Sequence, residues 1–513
     1  MTPTMRITAV SLALFFGTFT LTVADDVQFI SYSQYGAVGD GITDDLDAIV
    51  KAHAAANEAG LPVRADADAT YYIGGANRTA LIQTDTDWGN AKFIIDDTNV
   101  ENPRNHLFNV SSTLPAIPIT TIATLKKNQT KLDLSLPYDS FIEATNNRTT
   151  HFIRYGPNQN NGAAQTEVFV IDKNGNVDMR APIIWDFDYV SAMTAYPMDS
   201  KTLTVKGGHF TTIANQSKES VYYGRGISVT RSNVVMDGIE HTITGELEFG
   251  APYGGFIAIS KCADVLVQNC TLSGHRTAVI VDATGKSATM GTYDILATKA
   301  INVTVKNCKQ ANDIHDTTLW GIFASNWSKN ITFDTVEFSR FDAHMGVANA
   351  TIRNSILGHQ GINLIGSGLF LVENTKVCSP NFINLRGDYG STWEGEIIIR
   401  NCEYVPRNGA KADAILIGGS NTGQHNFGYT CFMPQKITID GLVIHDTNPI
   451  DNYRGPKIFA RFNSAYTSEE YEQKYPYVIT EEVVIERLTI KSGKPYFISD
   501  NPFMFRNVKV TEK

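Results

Sequence analysis

No Cys-x-x-Cys spacing occurs in this chain, so a zinc site on paired thiolates is not expected. Clusters of lysine and arginine are missing too. The 43 basic residues stand against 53 acidic ones, for a net charge of −10, and nucleic acid is excluded as the expected partner. Beyond residue 24 no apolar run is long enough to cross a bilayer, so the mature chain is expected to be free of membrane. Residues 1–24 are different: Arg6 precedes a stretch from Ile7 to Val23, broken only by small or hydroxyl residues and ending at Ala24. That stretch reads as a secretory signal peptide and implies an extracellular or periplasmic protein. Disulfides would be permitted there. Yet Cys270, Cys308 and Cys402 each follow an Asn at the same point of a recurring motif, which makes them small buried fillers.

A fixed period is also absent, although a repeat is present. Ala350-Thr351-Ile352-Arg353-Asn354 returns as Phe370-Leu371-Val372-Glu373-Asn374 and as Ile397-Ile398-Ile399-Arg400-Asn401. Related segments begin at Val205, Val234, Val265, Val303, Ile331, Ile437, Val483 and Phe503. The polar marks Asp237, Asn269, Asn307, Asp334, Asn354, Asn374, Asn401 and Asp440 follow one another at intervals from 20 to 39 residues. A constant strand motif at a variable interval predicts a β-solenoid whose turns accept insertions. Alternate apolar side chains would fill the coil, each strand would pair with the next coil, and the Asn would stack at a turn.

The stretch Tyr35-Gly36-Ala37-Val38-Gly39-Asp40-Gly41-Ile42-Thr43-Asp44-Asp45-Leu46 resembles the N-terminal signature of the pectate-lyase superfamily. The resemblance implies an all-β, right-handed parallel β-helix that acts on polysaccharide. The residues have a physical reading of their own. Asp44 and Asp45 suit a helix N-terminus, Leu46, Ile49 and Val50 give an apolar face, and Gly60 ends the helix. Such a helix would cap the first coil. The expected organisation is a signal peptide at 1–24, the cap and first coils at 25–100, a β-rich lobe at 101–200, and regular coils at 201–513. Within the lobe, Val168–Ile171 is a continuous apolar run, as in a strand buried on both faces.

Chemistry-bearing residues concentrate between Ser339 and Glu394. Superfamily coils carry a Gly-Ile-like pair, matched here by Gly321-Ile322, Gly346-Val347, Gly361-Ile362, Phe382-Ile383 and Ala414-Ile415. Aligning these pairs puts His344 and His359 on adjacent strands about 4.8 Å apart, facing outward. Asp342, Asn363, Asn384, Arg386 and Asp388 join the same face, and Asp316 lies one coil earlier. A polar stripe of this kind suits a linear polysaccharide. For β-elimination from a uronate, His344 or His359 could be the base, Arg386 or Arg340 could hold the carboxylate, and Tyr389 could be the acid. For glycoside hydrolysis, Asp342 with Asp388, or Asp316 with Asp342, could supply two carboxyl groups. Trp393 is a further candidate for substrate contact. The two His and two Asp could also hold a divalent metal such as calcium.

Phe341-Asp342-Ala343-His344 and His359-Gln360-Gly361-Ile362 are also similar to the Asp-Pro-His and His-Gly-Ile elements of mannuronan C5-epimerases, with Ala343 in place of Pro. That similarity implies catalytic roles for Asp342, His344 and His359 and favours proton abstraction at C5. Three functions therefore compete: an enzyme abstracting a C5 proton, a glycoside hydrolase, and a non-catalytic carbohydrate-binding β-helix.

Overall fold

The computed structural model describes residues 28–513, except 157–158, 217–220, 248–250, 282–284 and 286; the expected signal peptide at 1–24 lies outside the described residues. Parallel strand pairs run from Ile30 to Glu512 and join into one 27-stranded sheet that bends through corners from coil to coil. The chain is a parallel β-helix. Its filling is a column of in-register apolar residues: Val205, Met236, Val267, Val305, Phe333, Ile352, Val372, Ile399, Ile439 and Ile485. All ten are buried. Alternation puts every second side chain into the coil, where stacking removes its apolar surface from water.

Two residues after each member of this column the chain turns with a positive φ. Asn269, Asn307, Asn354, Asn374 and Asn401 take that position with φ between 48° and 55°. Asn tolerates the left-handed region better than most residues, and its amide can bond to the coil before. Asn374 Nδ2 donates to Asn354 Oδ1 at 3.2 Å, and Asn307 Nδ2 to Asn269 Oδ1 at 3.4 Å. Asp237, Asp334 and Asp440 are not members of this ladder. They stand one residue earlier, and the turn itself is made by Gly238, Thr335 and Gly441. Their carboxylates serve the ladder as acceptors, as Asp237 does for Asn269 at 2.7 Å and Asp334 for Asn354 at 3.0 Å. A second ladder, not visible in the motif, runs through Asp264, Asn302, Asn330 and Asn349, again at positive φ, linked at 2.8, 2.8 and 3.3 Å.

The cap helix spans Leu46–Ala59 and ends at Gly60, whose φ is 66°. Leu46, Ile49, Ala52, His53 and Ala56 form its buried face. Asp44 Oδ1 accepts from the Leu46 N–H at 3.0 Å, while Asp45 turns back to accept from Val38 and Gly39. The coil continues through Phe108–Val110, which pairs with Ala80–Ile82 and Ile227–Val229, and resumes at Leu203. Between these points Ile117–Pro118, Ser140–His151, Ala163–Ile171 and Ala192–Pro197 form a separate four-stranded antiparallel sheet. Phe169 and Ile171 point into the core of this lobe, and Val168 packs with Ala263 and Ile301 of the coil. The lobe is also clamped by charge: Lys329 Nζ lies 2.7 Å from Glu167, and both side chains are at most 2% exposed. Glu167 accepts in addition from the N–H groups of Ile184 and Trp185.

All six cysteines are buried and none is in a disulfide. Burial pushes the Cys402 thiol up to about 11 and Cys262 up to about 12, so both stay protonated. Alkylation of the native protein should therefore label none of the six rapidly, and alkylation after denaturation without reductant should label all of them. Lys329→Met leaves Glu167 as an unpaired buried charge and should cost ~3–5 kcal/mol, read as a lower denaturant midpoint. Lys329→Met combined with Glu167→Leu should recover much of that loss, because removing both charges also removes their desolvation cost.

Candidate functional site

The strand Glu337–Arg353 carries Arg340, Asp342 and His344, and its register decides what they meet. Phe341 pairs with Ile362, which pairs with Ile383, so the large apolar residue takes the inward place. Its ring stacks on Phe323 at 5.6 Å. Gly346 is left at a corner with φ 86°. The expected alignment of Gly346-Val347 with Gly361-Ile362 therefore does not form. Asp342 pairs with Asn363, and Asn363 with Asn384, whose Nδ2 donates to Asn363 Oδ1 at 2.9 Å.

Beyond Leu385 the chain enters a single 3-10 turn, Gly387–Tyr389, closed by Gly390 at φ 93°. This turn folds Asp388 back onto Arg386, which meets it through Nε at 3.1 Å and Nη2 at 2.7 Å. Arg386 Nη1 reaches both oxygens of Asp342, at 2.6 and 2.7 Å. Arg340 Nη2 adds a third bond to Asp342 at 2.8 Å, and Arg154 Nη2, from the lobe, lies 3.3 Å from Asp388. Three guanidinium groups thus share two carboxylates. Burial works to raise the Asp342 carboxyl, but Arg340 and Arg386 outweigh it and hold it below its usual value. Asp388 is held down against burial by Arg386 and Arg154.

His344 stands beside this cluster, partly buried, with its ring 5.3 Å from that of Tyr389. Its Nδ1 lies 3.1 Å from Asn326 Oδ1. Asn326 Nδ2 donates to Thr298 Oγ1, which orients the amide with its oxygen toward the imidazole. An amide oxygen only accepts, so Nδ1 carries the proton and Nε2 the lone pair. Burial, then the charge of Arg386, lowers His344 to about 4. At neutral pH it is an uncharged imidazole.

His344, Arg386, Tyr389 and Asn326 line a cleft of about 660 Å³, together with Arg154 and Asn160 from the lobe and Tyr222 and His106 from the coil loops. Arg154 Nε and His106 Nδ1 are buried there without hydrogen-bond partners among the described residues. Burial also raises the Tyr389 hydroxyl, leaving it protonated and able to donate.

Other expected site residues lie elsewhere. His359 falls beside the Phe338–Arg340 stretch instead of opposite His344, and its Nδ1–H donates to the Ile314 carbonyl at 3.0 Å. Asp316 sits in an outer turn, accepting from Thr318. Trp393 is fully buried inside the coil, its Nε1–H donating to Gly368 O, so it offers no platform to a substrate. Arg386, expected to clamp a substrate carboxylate, is engaged by Asp342 and Asp388, and Asp342 itself is fully buried. Apart from these, a buried network joins His241, Asp294 and His275; burial opposes the charge of His275, but Asp294 and Glu246 raise it to about 10. Among the described residues no three His, Cys, Asp or Glu side chains converge as metal ligands.

No protein-family description and no curated protein matches the sequence. Solved structures do resemble the fold. The tailspike protein gp49 of Pseudomonas phage LKA1 is 14% identical, with a TM-score of 0.50 over 94% of this chain and 84% of that one. The A-module of the Azotobacter vinelandii mannuronan C-5 epimerase AlgE6 is 12% identical, with a TM-score of 0.41 over 94% and 99%. A family 28 exopolygalacturonase of Yersinia enterocolitica is 11% identical, with a TM-score of 0.41 over 95% and 78%. The likeness is one of fold.

The Asp342 carboxylate should act as a structural anion. Its folded pKa is lowered, so its contribution to stability is present above the unfolded value of about 3.9 and is lost as pH falls through the lower folded value. Asp342→Asn should therefore be much less stable than the parent near neutrality. The gap should narrow below about pH 4 in denaturant titrations.

Proposed function

We propose that the cleft binds an acidic polysaccharide and that His344 removes the proton α to a uronate carboxylate. The observation that carries this reading is the uncharged His344 imidazole, its Nδ1 bonded to Asn326, beside the incompletely bonded guanidinium of Arg154. A donor without a partner in a buried wall favours an acceptor-rich ligand, and a guanidinium matches a carboxylate. Arg154 would hold the substrate carboxylate, taking the place first assigned to Arg386. Arg386 would fix Asp342 and Asp388 and add positive potential to the cleft.

In this reading His344 Nε2 takes the C5 proton, and the electron pair moves into the carboxylate as a dienolate held by Arg154. Expulsion of the C4 oxygen, protonated by Tyr389, leaves an unsaturated sugar. Return of a proton to C5 from the opposite face gives an epimer instead. The hydrolytic alternative is disfavoured by charge. It needs one carboxyl group kept protonated, whereas Asp342 and Asp388 are both held ionised by arginine. Secretion through the 1–24 segment fits an extracellular polymer substrate.

The test is incubation with a panel of polyuronates and neutral polysaccharides, following ultraviolet absorbance, reducing ends and C5 configuration. Absorbance rising with reducing ends is the expected lyase outcome, and a configurational change without cleavage the epimerase one. Reducing ends without absorbance would refute the proposal. His344→Gln should lower kcat by ~10²–10⁴-fold with substrate binding retained. Arg154→Gln should weaken acidic substrates more than neutral ones. Because the base must be deprotonated, kcat/KM should fall on the acid side with an apparent pKa of about 4.

A further inference from the structure

The last coils enclose a second cavity that shares no residue with the cleft. Its volume is about 410 Å³, within the range of small-ligand sites. One side is formed by Tyr466 and Tyr471, whose rings lie 5.1 Å apart and tilted by 33°. Tyr477 and Met504, 8% and 4% exposed, are buried behind them.

Two polar atoms in this wall are unmatched. Thr480 is 3% exposed, and its Oγ1 is buried without a hydrogen-bond partner among the described residues. Gln473 Nε2 is buried and unpartnered as well, although its Oε1 accepts from the Tyr477 N–H at 3.4 Å. Folding alone gives no return on a buried hydroxyl and a buried amide left unbonded. Thr480 and Gln473 are both lining residues of the cavity, so a side-chain rotation of either would present its unmatched group to an occupant. That occupant needs an acceptor for the amide, a hydroxyl or acceptor for Thr480, and an apolar face for the tyrosines. Glu481 and Arg506 bring one charge of each sign to the same cavity, so no net charge selects an anion.

We propose that this cavity is a non-catalytic binding site for a neutral pyranose unit. Its vicinal hydroxyls would engage Gln473 Nε2 and Thr480 Oγ1, and its C–H face would lie on the tyrosine pair. Aromatic rings with one polar edge suit such ligands, which are apolar on one face and hydroxylated at the rim. The proposal does not depend on the chemistry assigned to the cleft.

Calorimetric titration of the intact protein with cellotetraose, xylotetraose and mannotetraose tests it. At least one should bind, and Thr480→Val should weaken that binding at least tenfold, about 1.4 kcal/mol. Tyr471→Ala should weaken it comparably. Thr480→Val removes a hydroxyl that bonds to nothing, so it should fold with undiminished stability. It keeps the test decisive even if Tyr471→Ala, which loses bonds to Asn463 and Thr422, fails to fold. Turnover in the cleft should be unchanged in Thr480→Val. Absence of binding by all three oligosaccharides, or equal affinity in Thr480→Val, would overturn the proposal.

Discussion

Every coil must turn at the same place, and that constraint governs the rest. The turn demands a positive φ, which few side chains accept without cost. Asn269, Asn307, Asn354, Asn374 and Asn401 accept it and use their amides to bind the neighbouring coil. Once the turns are aligned, the strands have only one register in which Ile352, Val372 and Ile399 stack. A slip by a single residue would put each of them into water. The outward residues, including those of the cleft, inherit their positions from this inner column.

The cleft departs from the regular pattern in an informative way. A solenoid surface ordinarily leaves its charged side chains in water, where pairing stabilises little. Here Arg386 is set between two carboxylates, and the lobe closes over them with Arg154. The result is a rigid, largely dry group of charges next to one neutral imidazole. In such a setting fixed charges act over short distances with less screening than they would meet in bulk solvent. The buried Lys329–Glu167 pair and the apolar contact of Val168 with Ala263 and Ile301 keep the lobe at that distance.

Much of the fold was legible because it repeats. The triplets ending in Asn, the glycine that ends the cap helix, and the doubly buried Val168–Ile171 run each point to one local structure. Three Asp residues, Asp237, Asp334 and Asp440, were placed one position late because the residue that turns there is Gly or Thr, which carries no polar mark of its own. Less of the site was legible. His344 and Arg386 are brought to one cleft, with Asp388 bonded to Arg386 beside it, but His359 is not, because the Phe341 ring claims the inward position that Gly346-Val347 was expected to fill. Trp393 goes inside for the same kind of reason: an aromatic side chain of its size gains more from the coil interior than from the surface. Arg154 and Asn326 carry no motif. Arg154 lies more than 180 residues before its partners, on an insertion whose docking follows from tertiary packing alone.

The lobe also has a consequence for the order in which the molecule can be assembled. Thr86–Asp96 finds its next coil neighbour in Leu203–Ile213, and Phe108–Val110 finds its own in Ile227–Val229. A chain made from its N-terminus therefore stacks its first coils on one another but completes the whole antiparallel sheet before Thr86–Asp96 and Phe108–Val110 receive their next neighbours. Until then they present an open parallel edge, the kind of surface that pairs readily with other chains. The lobe, with a core of its own around Phe169 and Phe187, can close independently and bring the two ends of its loop together. A growing solenoid can then add its remaining coils one after another on a template already in place.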